Sequence, residues 1–472
     1  MSALERFARW LEKDRNERTN DVNVSLLEIA EGLDEGGRGL VSKVAISAGS
    51  CCFSVPISDP CLILTPHRCV EYLNRCNCFK NNPPVASTRT LEPLNCLVLF
   101  LYHISLTDCC PLKQIWEPYL HVLPKTYSDP VSASYIFPDK FPAAFNSTDL
   151  NSHFQKVYKR LLRSWDQIQQ VITGDSDSRQ KPPEQFVWAW FSINSRCVYC
   201  PLTKFDQDTQ LRFVDNLGLD KSTTSPIFSL HHAPKESSVD VALIPFFDFF
   251  NHSASVRCQL TINDSENSVQ LFLDQPISAG EQVFINYGSH DNLNLLLEYG
   301  FSFGPGENPF DAVYPCSTDL ESVIQTSFYN HVHTVVAYMG VKESVGQDNS
   351  TVWPTICCTR AGPSLHLLLL LHVLTVLRTE EVNNETILPY FDVQKLYELD
   401  EDFLLQRLRP ILVRLISRLV QQQRSDHLMV TNRLKLVMSE EQIAVVDSLH
   451  ALRHFLLTRE KLLEEIQDVL RG

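Results

Sequence analysis

The sequence predicts a mixed α+β chain, and three observations carry that expectation. Short segments with strand-type alternation occupy both ends of the first part: residues 40–46 and 50–55 early, then 258–262, 268–273 and 282–287 late. Between them lie a strongly apolar helical segment at 94–104 and an amphipathic helical one at 150–172. From about Asn308 onward the pattern is helical throughout.

Taken in order, residues 4–11 read as a helix with Leu4, Phe7, Ala8 and Leu11 on one face. A polar linker, 14–20, precedes a strand at 24–30. Residues 32–39 are rich in glycine and acid and read as a loop, followed by two strands joined at Ala48-Gly49. Residues 65–76 are helical, and 79–92, with two prolines and little pattern, form a mobile loop. The apolar helix at 94–104 leads to the segment Trp116-Glu117-Pro118-Tyr119-Leu120, followed by Leu123-Pro124. After the amphipathic helix at 150–172 and a polar break at 174–183, another helix begins at 186–192. Residues 202–239 are polar and irregular. A hairpin then pairs 258–262 with 268–273 through a loop at 263–267. The tail supplies helices at 320–339, 364–378, 393–420 and 440–471, the last opened by Ser439 with Gln442 as a capping box. This helical bundle either docks a substrate or buttresses the rest.

At 472 residues the chain exceeds one simple core, so two or three units are expected. With 44 % hydrophobic and 21 % charged residues it should be globular. A formal net charge of -15 argues against nucleic-acid binding through a phosphate-contacting surface and suits a basic partner. The first ten residues carry charges inside an amphipathic helix and lack the apolar core of a secretory signal. The 15 cysteines are therefore expected to be reduced, in cytoplasm or nucleus, and the chain not secreted. The longest apolar run, residues 365–377, is shorter than the roughly 20 needed to span a bilayer. It reads as a buried helix, and no membrane is expected.

The chemistry centres on Ile-Pro-Phe-Phe-Asp-Phe-Phe-Asn-His at 244–252. Asp248, Asn251 and His252 sit inside an aromatic run, which polar groups tolerate only when hydrogen-bonded. They are either a buried structural pair or part of a site. Downstream, Gln282 onward alternates as a short strand that delivers Tyr287 beside Gly288, where a ligand could approach closely. Arg196 lies in the largely apolar stretch 193–199 and needs an anionic partner, either a structural salt bridge or a ligand.

Together these segments resemble a known family. Asn251-His252-Ser253 followed by Tyr287-Gly288 resembles the paired carboxy-terminal signature of SET-domain methyltransferases. Leu297-Glu298-Tyr299-Gly300-Phe301 is similar to the segment after it, and Gly37-Arg38-Gly39-Leu40 to the amino-terminal half. The branch suggested is that of Rubisco large-subunit methyltransferase. The resemblance implies a SET-type β-core of short curved strands with a helical insert at about 65–230, the domain spanning 22–305. A helical substrate-binding domain at 306–472 would follow. It also implies that the tyrosine-bearing end passes beneath a loop formed by the Asn-His segment.

The implied activity is methyl transfer from S-adenosylmethionine to lysines of a histone tail or another protein, with histidine as the alternative acceptor. The alternative function is an idle SET-like module that binds a peptide. The cofactor carries its own leaving group, so neither metal nor covalent intermediate is needed. By the resemblance, Tyr287 is catalytic, and Asn251 and His252 bind the cofactor. Gly36, Gly37 and Arg38 cradle its methionine end, and Arg196 contacts it with Ser195 near the lysine. Asp248 fixes the loop or the substrate backbone, while Tyr299 and Phe301 wall the lysine channel and the adenine. Relatives often carry glutamate where this chain has Gly36.

Competing motifs fail on spacing. Gly37-x-Gly39 would need glycine at Ser42 for a dinucleotide turn, and strand follows where helix is required. Cys197-x-x-Cys200 has no second pair at zinc spacing. His450 and His454 flank Ala451 where a zinc protease needs glutamate. A cysteine hydrolase lacks a convincing Cys-His pairing. Substrate, methylation state and oligomeric state are not encoded in any motif.

Overall fold

The computed structural model describes residues 1–12, 24–33, 37–59, 61–76, 89–107, 111–142, 144–173, 180–202, 228–230, 240–324, 332, 335–337, 339–341, 353, 355–379, 393–437 and 443–471. They group into two compact units. The first comprises residues 1–126 and 161–288, the second residues 127–160 and 289–472. Mixed strand and helix in the first and a largely helical second make the α+β class a finding.

The strands of the first unit are β1 (Leu27–Leu33), β2 (Gly37–Ser42), β3 (Cys51–Pro56), β4 (Arg89–Leu91), β5 (Val198–Tyr199), β6 (Phe228–Leu230), β7 (Val241–Ala242), β8 (Asn251–His252), β9 (Cys258–Asn263), β10 (Ser268–Leu273) and β11 (Gln282–Ile285). One sheet runs β1-β2-β11-β8 and a second β3-β10-β9. All pairings in them are antiparallel except β11 with β8, where Phe284 faces Asn251 and Ile285 faces His252. That parallel pair joins the two carboxy-terminal motifs. The short sheets β4-β6 and β5-β7 complete the unit.

Helices α1 (Ala3–Glu12), α2 (Pro66–Arg75), α3 (Pro93–Leu106) and α4 (Pro111–Leu120) pack with the helix Glu184–Arg196. Thr65 caps α2 by accepting from the Arg68 amide, and proline at the first turn forfeits no hydrogen bond. Trp116 of α4 lies fully buried against Tyr72 and Phe100. Its indole donates to the Cys61 carbonyl at 3.2 Å. Arg68 is 0 % exposed yet satisfied, donating to the carbonyls of Ile57, Asp59 and Ile63. Such main-chain acceptors help to satisfy a buried guanidinium.

Three expected boundaries shift. The described residues of the loop read at 32–39, namely 32–33 and 37–39, are strand: Gly39 pairs with Ala30 and Arg38 with Glu31. Ladder bonds to β1 offset the low strand preference of glycine. The helix expected to begin at 186–192 runs to Arg196, so Ser195 and Arg196 sit on its last turn. The strand expected through Tyr287 stops at Ile285. There the Asn286 side chain accepts the Gly288 amide at 2.8 Å and turns the chain.

The second unit is built mainly on the helices Leu365–Thr379, Glu401–Val437 and Ile443–Arg471, with Ser317–Ile324 and Pro130–Ile136. Leu367 to Leu371 are each at most 1 % exposed, so the long apolar run is core. No helix among the described residues is long and apolar enough to cross a membrane. The helix expected over 393–420 is two. Val393–Tyr397 ends, and Asp400 restarts the chain by accepting the Phe403 amide, after which Glu401–Val437 continues well past residue 420. Ser439 and Gln442, Gly36, and most of 79–92 and 202–239 lie outside the described residues.

Candidate active site

The carboxylate of Asp248 is the hub of the first unit. Its side chain is 0 % exposed. Oδ2 accepts from Arg196 Nη1 at 2.8 Å and from the Tyr119 hydroxyl at 2.8 Å. Arg196 Nη1 also donates to the Asp248 carbonyl at 3.0 Å. Both guanidiniums of the region lie over the Phe249 ring, Arg38 at 5.0 Å and Arg196 at 5.7 Å from its centroid. Burial pushes the Asp248 carboxyl above its ordinary range, and Arg196, Tyr119 and Arg38 pull it back. Asp248 Oδ1 is buried with no hydrogen-bond partner among the described residues.

The turn that presents Asp248 is strained. Phe246 adopts φ 81° and ψ -46°, a conformation that costs an L residue about 1–3 kcal/mol. Its ring stacks on Phe53 at 6.3 Å and is 4 % exposed, so packing holds it there.

Asn251 and His252 follow on β8. Asn251 Nδ2 donates to the Arg38 carbonyl at 3.1 Å, tying β8 to the glycine-rich strand. That contact needs Gly39, where a Cβ would lie 2.6 Å from the same nitrogen. His252 Nδ1 accepts the Tyr287 amide at 3.1 Å, which places the ring proton of neutral His252 on Nε2. The His252 and Tyr287 rings stack at 5.0 Å. The Tyr287 hydroxyl donates to the Phe250 carbonyl at 2.5 Å. Asn286 completes the wrap: its amide group donates to the carbonyls of Ala254 and Val256, and its backbone amide to Cys258 Sγ.

Arg38, Arg196, Asp248, Asn251, His252 and Tyr287 are thus linked within one unit. Gly37 lies beside them on β2 at φ 64°. Ser195 is on the adjoining helix end, its hydroxyl donating to the Phe191 carbonyl at 2.7 Å. Arg196 makes a salt bridge, so the structural reading of that residue holds whatever else it binds. Tyr299 and Phe301 belong to the second unit, where Tyr299 ends a helical turn before Gly300 at φ 83°. Their rings are 6.4 Å apart.

Sequence reasoning missed Tyr119 as a support of Asp248, Phe246 as a strained residue and Phe7 as a neighbour of Phe249. Only the proline inside α4 marked the Tyr119 segment as unusual. Cys76 Sγ and His103 Nε2 do meet, at 3.7 Å. With Cys76 1 % exposed, that pair is interior packing and offers no nucleophile. Among the described residues no group of three or more His, Cys, Asp or Glu could hold a metal ion.

A family model described as SET domain matches residues 37–288. SET domain-containing protein 4 of Mus musculus is 28 % identical over 314 residues, 66 % of this chain and 60 % of that protein. Ribosomal lysine N-methyltransferase set11 of Schizosaccharomyces pombe is 23 % identical over 220 residues, 47 % of this chain and 42 % of that protein. The chain thus spans three fifths or less of the length of these relatives. The crystal structure of the SET domain of LSMT bound to lysine and AdoHcy is similar in fold, with a TM-score of 0.54 at 17 % identity. That likeness covers 99 % of this chain and 91 % of that one.

Proposed function

Because this chain belongs to the SET domain family, we propose that it is a protein-lysine N-methyltransferase that uses S-adenosylmethionine and acts on histone or other protein lysines, in cytoplasm or nucleus. One observation carries the reading. The parallel pairing of β8 with β11 sets the Tyr287 hydroxyl on the Phe250 carbonyl and the Tyr287 amide on His252.

The residues present fit the cofactor. Its amino-acid end carries a carboxylate and an ammonium, and the site has complementary groups. Arg38 and Arg196 supply positive charge, and the unpartnered Asp248 Oδ1 is an acceptor. Gly37, at φ 64°, has open space where a side chain would stand. When bound, S-adenosylmethionine supplies an activated methyl on a sulfonium.

The chain's own groups then have two tasks. The first is to hold the lysine amine in line, since positioning of this kind supplies much of the rate. Tyr287 does this: its hydroxyl oxygen keeps lone pairs toward an amine while its proton is fixed on the Phe250 carbonyl. The second is to stabilise partial positive charge near the methyl, for which the hydroxyl and carbonyl oxygens are pre-oriented dipoles. A lysine of ordinary pKa near ~10.4 is under ~0.1 % neutral at pH 7, so the amine must shed its proton on entering. Desolvation beside a cation drives that loss, and no side chain is assigned as base. The roles expected of Ser195, Tyr299 and Phe301 rest on the family resemblance.

The test is transfer of labelled methyl from S-adenosylmethionine to proteins of a cell extract, by wild type and Tyr287→Phe. Loss of label by ~100-fold or more in the variant, with cofactor affinity unchanged, supports the reading. Equal labelling would displace Tyr287. Cofactor binding with no labelled protein in either case would favour a peptide-binding module.

A further inference from the structure

We infer that Phe7, on the amino-terminal helix α1, is a positioning residue for the cofactor site, so that α1 supports cofactor binding. The inference rests on the function proposed above. Helix α1 has ten residues, too few to persist alone, so its helicity depends on what it packs against. Its apolar face buries Phe7 at 0 % and Leu11 at 5 % exposure. The Phe7 ring touches two residues that govern the site. Phe249 is 5.8 Å away between centroids, and Tyr119 is 5.9 Å away. Trp10 backs it at 5.6 Å.

Each of those neighbours does one job. Phe249 is the shared ring under Arg38 and Arg196, whose guanidiniums lie 5.0 and 5.7 Å from its centroid. Tyr119 donates to Asp248, and Asp248 holds Arg196. Phe7 therefore wedges both the platform and the tether of the Arg196 guanidinium, and the platform of Arg38. Packed interiors transmit such displacements, because a void beside a ring is filled by shifting it. Truncating Phe7 lets Phe249 and Tyr119 relax toward α1 and withdraws the guanidiniums from the place they hold. Phe7 touches no reacting atom, so its effect falls on cofactor binding and spares the chemical step.

The experiment uses the full chain with Phe7→Ala and Phe7→Leu. Dissociation constants for S-adenosylhomocysteine are measured by calorimetry, well below each variant's melting temperature. Steady-state transfer supplies KM for S-adenosylmethionine and kcat. We expect Phe7→Ala to weaken binding ~10-fold or more and to raise KM with kcat little changed, Phe7→Leu being intermediate because it restores bulk without the ring. Should Phe7→Ala fail to fold, Phe7→Leu decides alone, and a wild-type dissociation constant would overturn the inference. A lowered melting temperature with unchanged affinity in both variants would reduce Phe7 to a packing residue and likewise overturn it. If wild type itself binds neither compound, the proposed function falls and this inference with it. Binding by wild type with unaltered variants refutes the inference alone.

Discussion

Replacing Asp248 with asparagine tests the hub directly, because the shape is kept and the charge removed. In the folded chain Oδ2 receives two donors, Arg196 and Tyr119, each at 2.8 Å. The Arg196 contact is charge-assisted, worth about 1.5–3 kcal/mol against about 0.5–1.5 kcal/mol for its neutral counterpart. About 1 kcal/mol is therefore lost at that bond. The new amide NH2 would take the place of Oδ1, which has no partner now, and a buried unsatisfied donor costs about 1–3 kcal/mol. Against this, the substitution removes a fully buried carboxylate whose desolvation already pushes its pKa up. The terms leave Asp248→Asn less stable by about 1–3 kcal/mol, short of the roughly 3–5 kcal/mol of a bare broken pair.

The functional effect should be the larger one. Arg196, 15 % exposed, loses its tether, and S-adenosylhomocysteine affinity should fall ~10- to 100-fold, at about 1.4 kcal/mol per decade. Calorimetric titration with a parallel melting curve measures both. Unchanged affinity would refute the tether, and tighter binding would mean that Asp248 chiefly neutralises the guanidiniums. The pH sign follows from the raised pKa. From the ordinary carboxylate range up to its folded value, Asp248 keeps its proton in the folded state after the unfolded chain has lost it. Its contribution to stability therefore declines with rising pH across that window, and Asp248→Asn flattens the curve there.

Other expectations are as direct. Asp129 caps the helix Pro130–Ile136 through Ser132, and burial raises its pKa from 3.8 to about 7. Between those values the folded state retains a proton that the unfolded state releases. Stability should thus fall as pH rises from about 4 to 7, by at most ~4 kcal/mol, and Asp129→Asn should abolish the slope in urea titrations. Asp426, 0 % exposed, accepts the backbone amides of Asn146 and Ser147 just before the helix Thr148–Thr173. Asp426→Ala should cost about 2–4 kcal/mol by denaturant unfolding, because it orphans two backbone donors, and Asp426→Asn should recover part of it. Gly39→Ala forces a methyl to 2.6 Å from Asn251 Nδ2 and 2.8 Å from Gln282 Nε2. It should destabilise by about 1–3 kcal/mol and weaken S-adenosylhomocysteine binding, both checked by calorimetry.

Much of this architecture was legible before any coordinates. An apolar stripe placed α1, α2 and the tail helix Ile443–Arg471 to within a few residues, and unbroken apolar runs did the same for α3 and Leu365–Thr379. The hairpin of β9 and β10 announced itself by alternation around a polar loop. Asn251, His252 and Arg196 stood out for a similar reason, as polar groups set among apolar neighbours, which must find partners, whereas Tyr287 stood out at the end of an alternating segment beside Gly288 and through the family resemblance. What those partners are was not readable. Tyr119 and Asp248 are 129 positions apart and meet only because the fold brings α4 to the segment that carries Asp248. Arg38 and Arg196 share Phe249 although 158 positions separate them (196 − 38). Phe7 looked like the apolar face of an outlying helix and proved to be a neighbour of the hub. Period and polarity are local properties, so the sequence by itself determined which segments are helix or strand and which residues are chemically out of place. Which side chain closes on which depends on the crossing of elements distant along the chain, and only the tertiary structure decided that.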